Sequence, residues 1–138
     1  MDRMNPVFQT VGIVGTGAMG RGIAQMAAQA GSQVLLYDQQ PGATTHARDA
    51  LGRQWDTLLD KGRLDAAQVA DAKARLHCVE HLEDLAGCAL VVEAIVERLD
   101  VKVALFGQLE AIVGAEAVLA SNTSSLSITA IGAGLRAP

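Results

Sequence analysis

The sequence predicts an α/β fold: a doubly wound, mostly parallel sheet with a helical hairpin inserted after its second strand. Three observations carry that expectation. Short, near-continuous apolar runs recur along the chain, as in parallel strands buried on both faces. Stretches with helical spacing separate them. The first apolar run ends in glycines that open the first helical stretch, Gly15-Thr16-Gly17-Ala18-Met19-Gly20. At 138 residues the chain fits one domain, residues 1–138, and is long enough to bury a core.

Val7 to Val14 forms the first strand, apolar and β-branched. Ala18 to Ala30 is rich in Ala and Met with apolar residues all round, which suits a helix laid against a sheet, and Gly31 stops it. Gln33 to Tyr37 (QVLLY) is the second strand. Ala43, Ala47, Ala50, Leu51, Trp55, Leu58 and Leu59 then recur at helical spacing, so residues 42–60 form one long helix. At ~1.5 Å per residue it is about 27 Å long, enough to project beyond the sheet edge. Lys61-Gly62-Arg63 breaks it. Asp65 with Gln68 has the pattern of a capping box and opens a second helix to about Leu76, so the crossover is a hairpin. Cys78-Val79 is a weak third strand, Ala89 to Val92 a strong fourth and Val118 to Ala120 the fifth. The stretch from Ser121 to Pro138 begins small and polar and is then helical from Leu126 to Leu135.

Composition excludes several classes. Half the residues are apolar and 19% are charged, so the chain is globular rather than disordered. Eleven Lys+Arg against fifteen Asp+Glu leave a net charge of −4, with no basic stripe for nucleic acid. No apolar stretch approaches the ~20 residues that cross a bilayer, so no membrane partner is expected. Residues Met1 to Pro6 carry no apolar signal core. Two cysteines, Cys78 and Cys88, make no disulfide framework, and a cytoplasmic location is expected. His77, Cys78 and His81 have metal-ligand types but lack a fourth ligand. His77 and His81 would also stand about 13 Å apart along a strand, so no metal is expected.

The glycine loop has a specific chemistry when it joins a strand to a helix. Gly15 permits the tight turn, Gly17 lets backbone approach a pyrophosphate, and Gly20 lets the helix pack close. Thr16, Ala18 and Met19 complete the cradle, at a helix N-terminus whose free N–H groups and partial positive charge suit an anion. Asp38 lies 18 residues after Gly20, at the end of the second strand. A carboxylate there accepts hydrogen bonds from the ribose hydroxyls of an adenosine. Gln39, Gln40 and Pro41 offer no cation for a 2′-phosphate, so NAD is favoured over NADP. A flavin dinucleotide uses the same loop and is the alternative cofactor.

Three longer segments carry a resemblance. VGIVGTGAMGRGIAQMAAQAG, VVEAIVERLDVKVALF (Val91–Phe106) and ASNTSSLSITAI (Ala120–Ile131) resemble the N-terminal domain of NAD-dependent 3-hydroxyacyl-CoA dehydrogenases, nearly end to end. The resemblance implies a Rossmann-like domain followed by an all-helical domain that makes a homodimer, and oxidation of the 3-hydroxyl of an acyl-CoA to a ketone. Residue by residue, it implies that Glu97 lies beside the nicotinamide ribose and that Lys102 is a second cofactor contact. Ser124 would reach both the nicotinamide and the substrate hydroxyl, as the one catalytic residue in the chain, and Lys61 would meet the CoA phosphates. Gln54 stands where the family often has a serine. From the residues alone, Glu97 with Lys102 is equally a solvated pair, Ser124 a helix cap, and Lys61-Gly62-Arg63 a polar turn.

Removing hydride from an alcohol also needs a base for the hydroxyl proton, usually His. The family motif of the type H-F-F-N-P has no match. His46 falls on the hairpin, and His77 and His81 flank the third strand, none of them at the strand ends beside the glycine loop. The chain therefore reads as the cofactor half of an enzyme, expected to bind NAD without turning over substrate and to self-associate through uncovered apolar surface. The other readings are a non-catalytic, redox-sensing NAD module and a dehydrogenase of short 3-hydroxy acids. The long hairpin with Lys61 argues against the latter, because a small acid needs no remote arm.

Overall fold

The computed structural model of the chain describes residues 8–95, 99–114 and 117–121. Its elements in order are β1 (Thr10–Val14), α1 (Ala18–Gln29), β2 (Gln33–Tyr37), α2 (Ala43–Asp60), α3 (Ala66–Ala74), β3 (Leu76–Cys78), a 3-10 turn (Leu82–Leu85), β4 (Leu90–Glu93), α4 (Leu99–Ile112) and β5 (Val118–Ser121). The five strands form one sheet in the order β3-β2-β1-β4-β5, all neighbours parallel. β1 is central, and the chain leaves it first toward β2 and β3, then returns to β4 and β5 on its other side. That reversal opens a crevice above the carboxyl ends of β1 and β4, where ligands of doubly wound sheets bind.

Period-two alternation sends successive strand residues to opposite faces. Val11, Ile13, Val34, Leu36 and Val92 face one layer, where they meet Ala24 and Ala28 of α1, Ala47, Leu51 and Trp55 of α2, and Val69 and Ala72 of α3. Val14 and Val91 face the other, against Leu85, Cys88 and Phe106 and Leu109 of α4. Gly12 lies on this second face, where an added Cβ would stand 3.1 Å from both Cys88 Sγ and Leu85 Cδ2.

Local chemistry sets the ends of the helices. Gly31 (φ 107°) takes the left-handed position after α1. Arg75 donates from its guanidinium to the Ala28 carbonyl at 2.8 Å, satisfying a carbonyl of the last turn. Trp55 Nε1 donates to Gln29 Oε1 at 2.8 Å and fixes α2 to the same end of α1. Asp65 and Gln68 form a reciprocal capping box at α3, with bonds of 2.8 and 2.9 Å. Lys73 of α3 reaches back to Asp56 of α2 at 2.7 Å. The pair of helices is bedded on the core through Leu58, Leu59 and Leu64, and the turn Lys61-Gly62-Arg63 is exposed.

The structure moves several boundaries. α3 ends at Ala74 rather than near Leu76, and β3 runs Leu76–Cys78 rather than starting at Cys78. Leu76 continues the helical apolar pattern, but Arg75 already has its carbonyl bonded to Val34 N at 2.8 Å, which starts the ladder with β2. β1 begins at Thr10 rather than at Val7, because Phe8 and Gln9 bend before the ladder starts; the helix expected over Leu126 to Leu135 lies outside the described residues.

Candidate cofactor site

The glycine loop runs from the end of β1 into α1. Gly15 has φ 99°, a conformation L side chains rarely adopt, and an added Cβ there would come within 2.7 Å of the Ala94 carbonyl oxygen. A Cβ on Gly20 would be driven into the Gly15 carbonyl oxygen. These two glycines are therefore required by the protein itself. Gly17 is different. Its backbone is extended (φ −71°, ψ −168°), which any residue adopts, and a Cβ there would meet nothing within 4 Å. Nothing in the fold asks for glycine at 17. The space in front of it is where a close-approaching ligand needs the side chain to be missing.

Gly17 is also the N-cap of α1 and supplies no side-chain cap, and the first turn holds no acid. The orphan N–H groups of the first turn thus remain available to an anion.

Asp38, at the end of β2, is tied to this loop. Its Oδ2 accepts from Thr16 N and from Thr16 Oγ1, both at 2.8 Å, and its Oδ1 accepts from Gln40 N at 2.9 Å. A carboxylate offers about four lone-pair positions, so one on Oδ1 remains for a sugar hydroxyl without breaking a bond. Thr16 is 4% exposed, so its N–H depends on Asp38. The Gln40 bond tightens the turn into α2, completed by Gly42 at φ 81°.

A cleft of about 980 Å³ opens here. The loop (Gly15 to Gly17) and the β2 end (Tyr37 to Gln40) form one side, and Ala94, Ile95, Val101 and Leu105 form the other. Its polar groups sit at the loop, at Asp38 to Gln40 and at Gln108 of α4, and the rest of its wall on the β4–α4 side is apolar. That division suits a ligand with phosphates at its centre and flat rings toward its ends. Residues and geometry together fit a dinucleotide.

The sequence matches the family described as the NAD binding domain of 3-hydroxyacyl-CoA dehydrogenase, over residues 10–138. The chain belongs to this family. Among curated relatives it is 44% identical over 130 residues to the 3-hydroxyadipyl-CoA dehydrogenase of Escherichia coli K12, covering 94% of this chain and 27% of that protein. It is 45% identical over 121 residues to a probable 3-hydroxybutyryl-CoA dehydrogenase of Deinococcus radiodurans, covering 87% and 43%. The crystal structure of the 3-hydroxybutyryl-CoA dehydrogenase of Escherichia coli K12 superposes with a TM-score of 0.92 at 43% identity, over 95% of this chain and 28% of that one. The (S)-3-hydroxybutyryl-CoA dehydrogenase of Ralstonia eutropha gives 0.88 at 39%, over 94% and 46%. The chain thus spans less than half the length of each of these relatives. As a member of this family it is a Rossmann-like, NAD-binding domain of oxidoreductases.

The remaining expected site residues are distributed unevenly. Ala18 and Met19 are exposed beside Gly17, Met19 by 62%. Lys102 is fully buried in the first turns of α4, with Nζ 2.9 Å from Glu93 Oε2, and does not line the cleft. Lys61 stands at the end of α2 opposite Gly42, about 27 Å along the helix at ~1.5 Å per residue, and is not brought to the cleft. Glu97 and Ser124 lie outside the described residues.

His46 corrects an expectation. The sequence places it on the hairpin away from the strand ends, yet it lines a hollow of about 390 Å³ with Thr16, Gly17, Asp38 and Pro41. The tight turn after Asp38 starts α2 beside the strand ends, so its first turn stays near the loop. His77 bonds instead to Gln33 Oε1 at 2.8 Å across the β2–β3 pair, and no histidine lines the larger cleft. Among the described residues no three His, Cys, Asp or Glu side chains gather as metal ligands.

Sequence reasoning missed Glu93. It ends the otherwise apolar β4 and is fully buried. An acid finishing a strand that reads LVV was the available signal; its pairing with Lys102, nine residues on, is set only by the fold.

Proposed function

We propose that this chain is the NAD-binding half of a 3-hydroxyacyl-CoA dehydrogenase, which oxidises 3-hydroxyacyl-CoA to 3-oxoacyl-CoA. The observation that supports the cofactor role most directly is Gly17, a glycine whose missing side chain leaves space for a ligand and serves no internal need. NAD, when bound, supplies the hydride acceptor. The loop N–H groups and the N-terminus of α1 hold its pyrophosphate, and Asp38 takes a ribose hydroxyl and disfavours a 2′-phosphate. Glu97 and Ser124 are assigned to the nicotinamide side, with Ser124 reaching the substrate hydroxyl, and Lys102 to the same side. Lys61, exposed at the turn between α2 and α3, is assigned to the CoA phosphates. The substrate partner is an acyl-CoA; nucleic acid and membrane are not partners. The whole enzyme is a cytoplasmic homodimer, and the isolated chain self-associates. Among the described residues no helix is long and apolar enough to cross a membrane.

A hydroxyl proton needs a base within hydrogen-bond reach, typically worth about 10²–10⁴ in rate. With no histidine on the cleft, these 138 residues bind NAD and do not turn over alone. The test is absorbance at the reduced-nicotinamide band, with 3-hydroxybutyryl-CoA, NAD and enough protein to see one turnover, beside a calorimetric titration with NADH. The expected result is saturable NADH binding with no absorbance change. Steady turnover by pure protein would return the base to His46, His77 or His81, and absent NADH binding would overturn the proposal.

A further inference from the structure

Glu93 and Lys102 are both fully buried, with Nζ 2.9 Å from Oε2. The same Oε2 accepts from Ile95 N at 2.6 Å. Withdrawing two charges from water is costly, and apolar residues of similar size commonly fill such space at no loss of stability. What the pair does that an apolar pair would not is fix geometry. One carboxylate oxygen joins the backbone just past β4 to the first turns of α4.

That corner is part of the cleft. Ala94 N donates to the Val14 carbonyl at 2.8 Å, and the Ala94 carbonyl packs against Gly15 closely enough to exclude a Cβ there. Ala94 and Ile95 line the cleft from the corner, and Val101 and Leu105 from α4. Asp38 marks the adenosine end on the β2 side of β1, so the β4–α4 side receives the other half of a dinucleotide.

Resting on the NAD reading above, we propose that Glu93 is a positioning residue. Through Ile95 N and Lys102 it sets the spacing between the β4 corner and α4, and so shapes the cleft for the nicotinamide half of the cofactor and not for the adenosine half.

Calorimetric titrations of the chain with NADH and, separately, AMP test this, on wild type, Glu93→Gln and the double variant Glu93→Gln/Lys102→Met, with thermal melts of each. Glu93→Gln is expected to weaken NADH at least tenfold while AMP affinity stays within twofold. The double variant, with both charges removed, is expected to recover most of the wild-type melting temperature yet remain at least tenfold weaker for NADH. If Lys102 instead touches the cofactor directly, Glu93→Gln leaves its charge free, and unchanged or tighter NADH binding overturns the positioning role. Equal loss of NADH and AMP in Glu93→Gln, or full recovery of NADH affinity in the double variant, reduces the pair to general structure and also overturns it. Should Glu93→Gln fail to fold, Glu93→Asp, which keeps Lys102 paired but draws the carboxylate back from Ile95 N, carries the same NADH-against-AMP comparison. A folded wild type that binds AMP but not NADH overturns the NAD reading itself, a result distinct from any of these.

Discussion

Replacing Asp38 by Asn removes a charge while keeping much of a hydrogen-bonding group. In the structure Asp38 accepts three bonds, two from Thr16 and one from Gln40 N. An Asn carbonyl in the Oδ2 position retains the Thr16 bonds, and its amide then faces the Gln40 N–H. One bond is lost, worth about 1 kcal/mol, or about 4 °C in melting temperature for a domain of this size. The larger effect is on cofactor choice. Two unit charges ~4 Å apart repel by about 4 kcal/mol at an effective dielectric near 20. Because Asp38 is only half-buried, salt and water reduce that figure. At about 1.4 kcal/mol per factor of ten, the preference for NADH over NADPH should fall between about tenfold and a thousandfold. The Oδ1 position that accepts the ribose hydroxyl then carries an amide NH2, which donates and cannot accept, so NADH should also weaken by about fivefold for a lost hydrogen bond of about 1 kcal/mol. Calorimetric titrations with both cofactors at low and high salt measure this. An unchanged NADH/NADPH ratio in a folded variant would refute the assignment of Asp38 to the 2′ position.

Lys102→Met leaves Glu93 buried without its cation and should cost about 3–5 kcal/mol in denaturant unfolding; a loss under about 1 kcal/mol would show the carboxylate is relieved another way. Trp55→Ala should cost about 3–5 kcal/mol, yet leave NADH affinity of the folded protein unchanged, because Trp55 anchors the end of α1 remote from the glycine loop; a matching loss of affinity would contradict that separation. Burial raises the Cys88 thiol from 9.0 to about 11. Its contribution is therefore complete below pH 9 and is lost as pH rises toward 11, because the unfolded state ionises first. Unfolding at pH 8 and pH 10.5 should show a steeper loss for wild type than for Cys88→Ala, and parallel losses would refute the burial of this thiol. In the enzyme that carries this domain, Lys61→Ala should raise KM for acyl-CoA and leave KM for NAD unaltered; an unaltered acyl-CoA KM would remove Lys61 from the substrate site.

Much of this was legible because it is local. The glycine turn, the stop at Gly31 and the Asp65–Gln68 box each depend on residues a few positions apart, and strand alternation names both core faces before any contact is known. β3 was misplaced because Leu76 satisfies a helical period as well as a strand start, and only pairing with Val34 decides between them. Lys102 was singled out only through the family resemblance, as a cofactor contact; its pairing with Glu93 was not legible, because a strand end, a corner and a helix turn separate the two in sequence. His46 was assigned to the hairpin correctly and to the wrong neighbourhood, because the turn set by Asp38, Gln40 and Gly42 decides where α2 begins.

Gly17→Val most directly tests whether the cleft holds NAD. The backbone at 17 accepts a side chain, and a Cβ there meets no protein atom within 4 Å, so the fold should be unchanged. The added methyls would occupy the space in front of the loop. NADH titrated into wild type should bind saturably at one site per chain, and into Gly17→Val should show at least a hundredfold loss of affinity with a melting temperature within about 2 °C of wild type, under ~1 kcal/mol for a domain of this size. Equal NADH affinity in the two proteins would contradict the account, because the ligand would then lie somewhere other than against this loop.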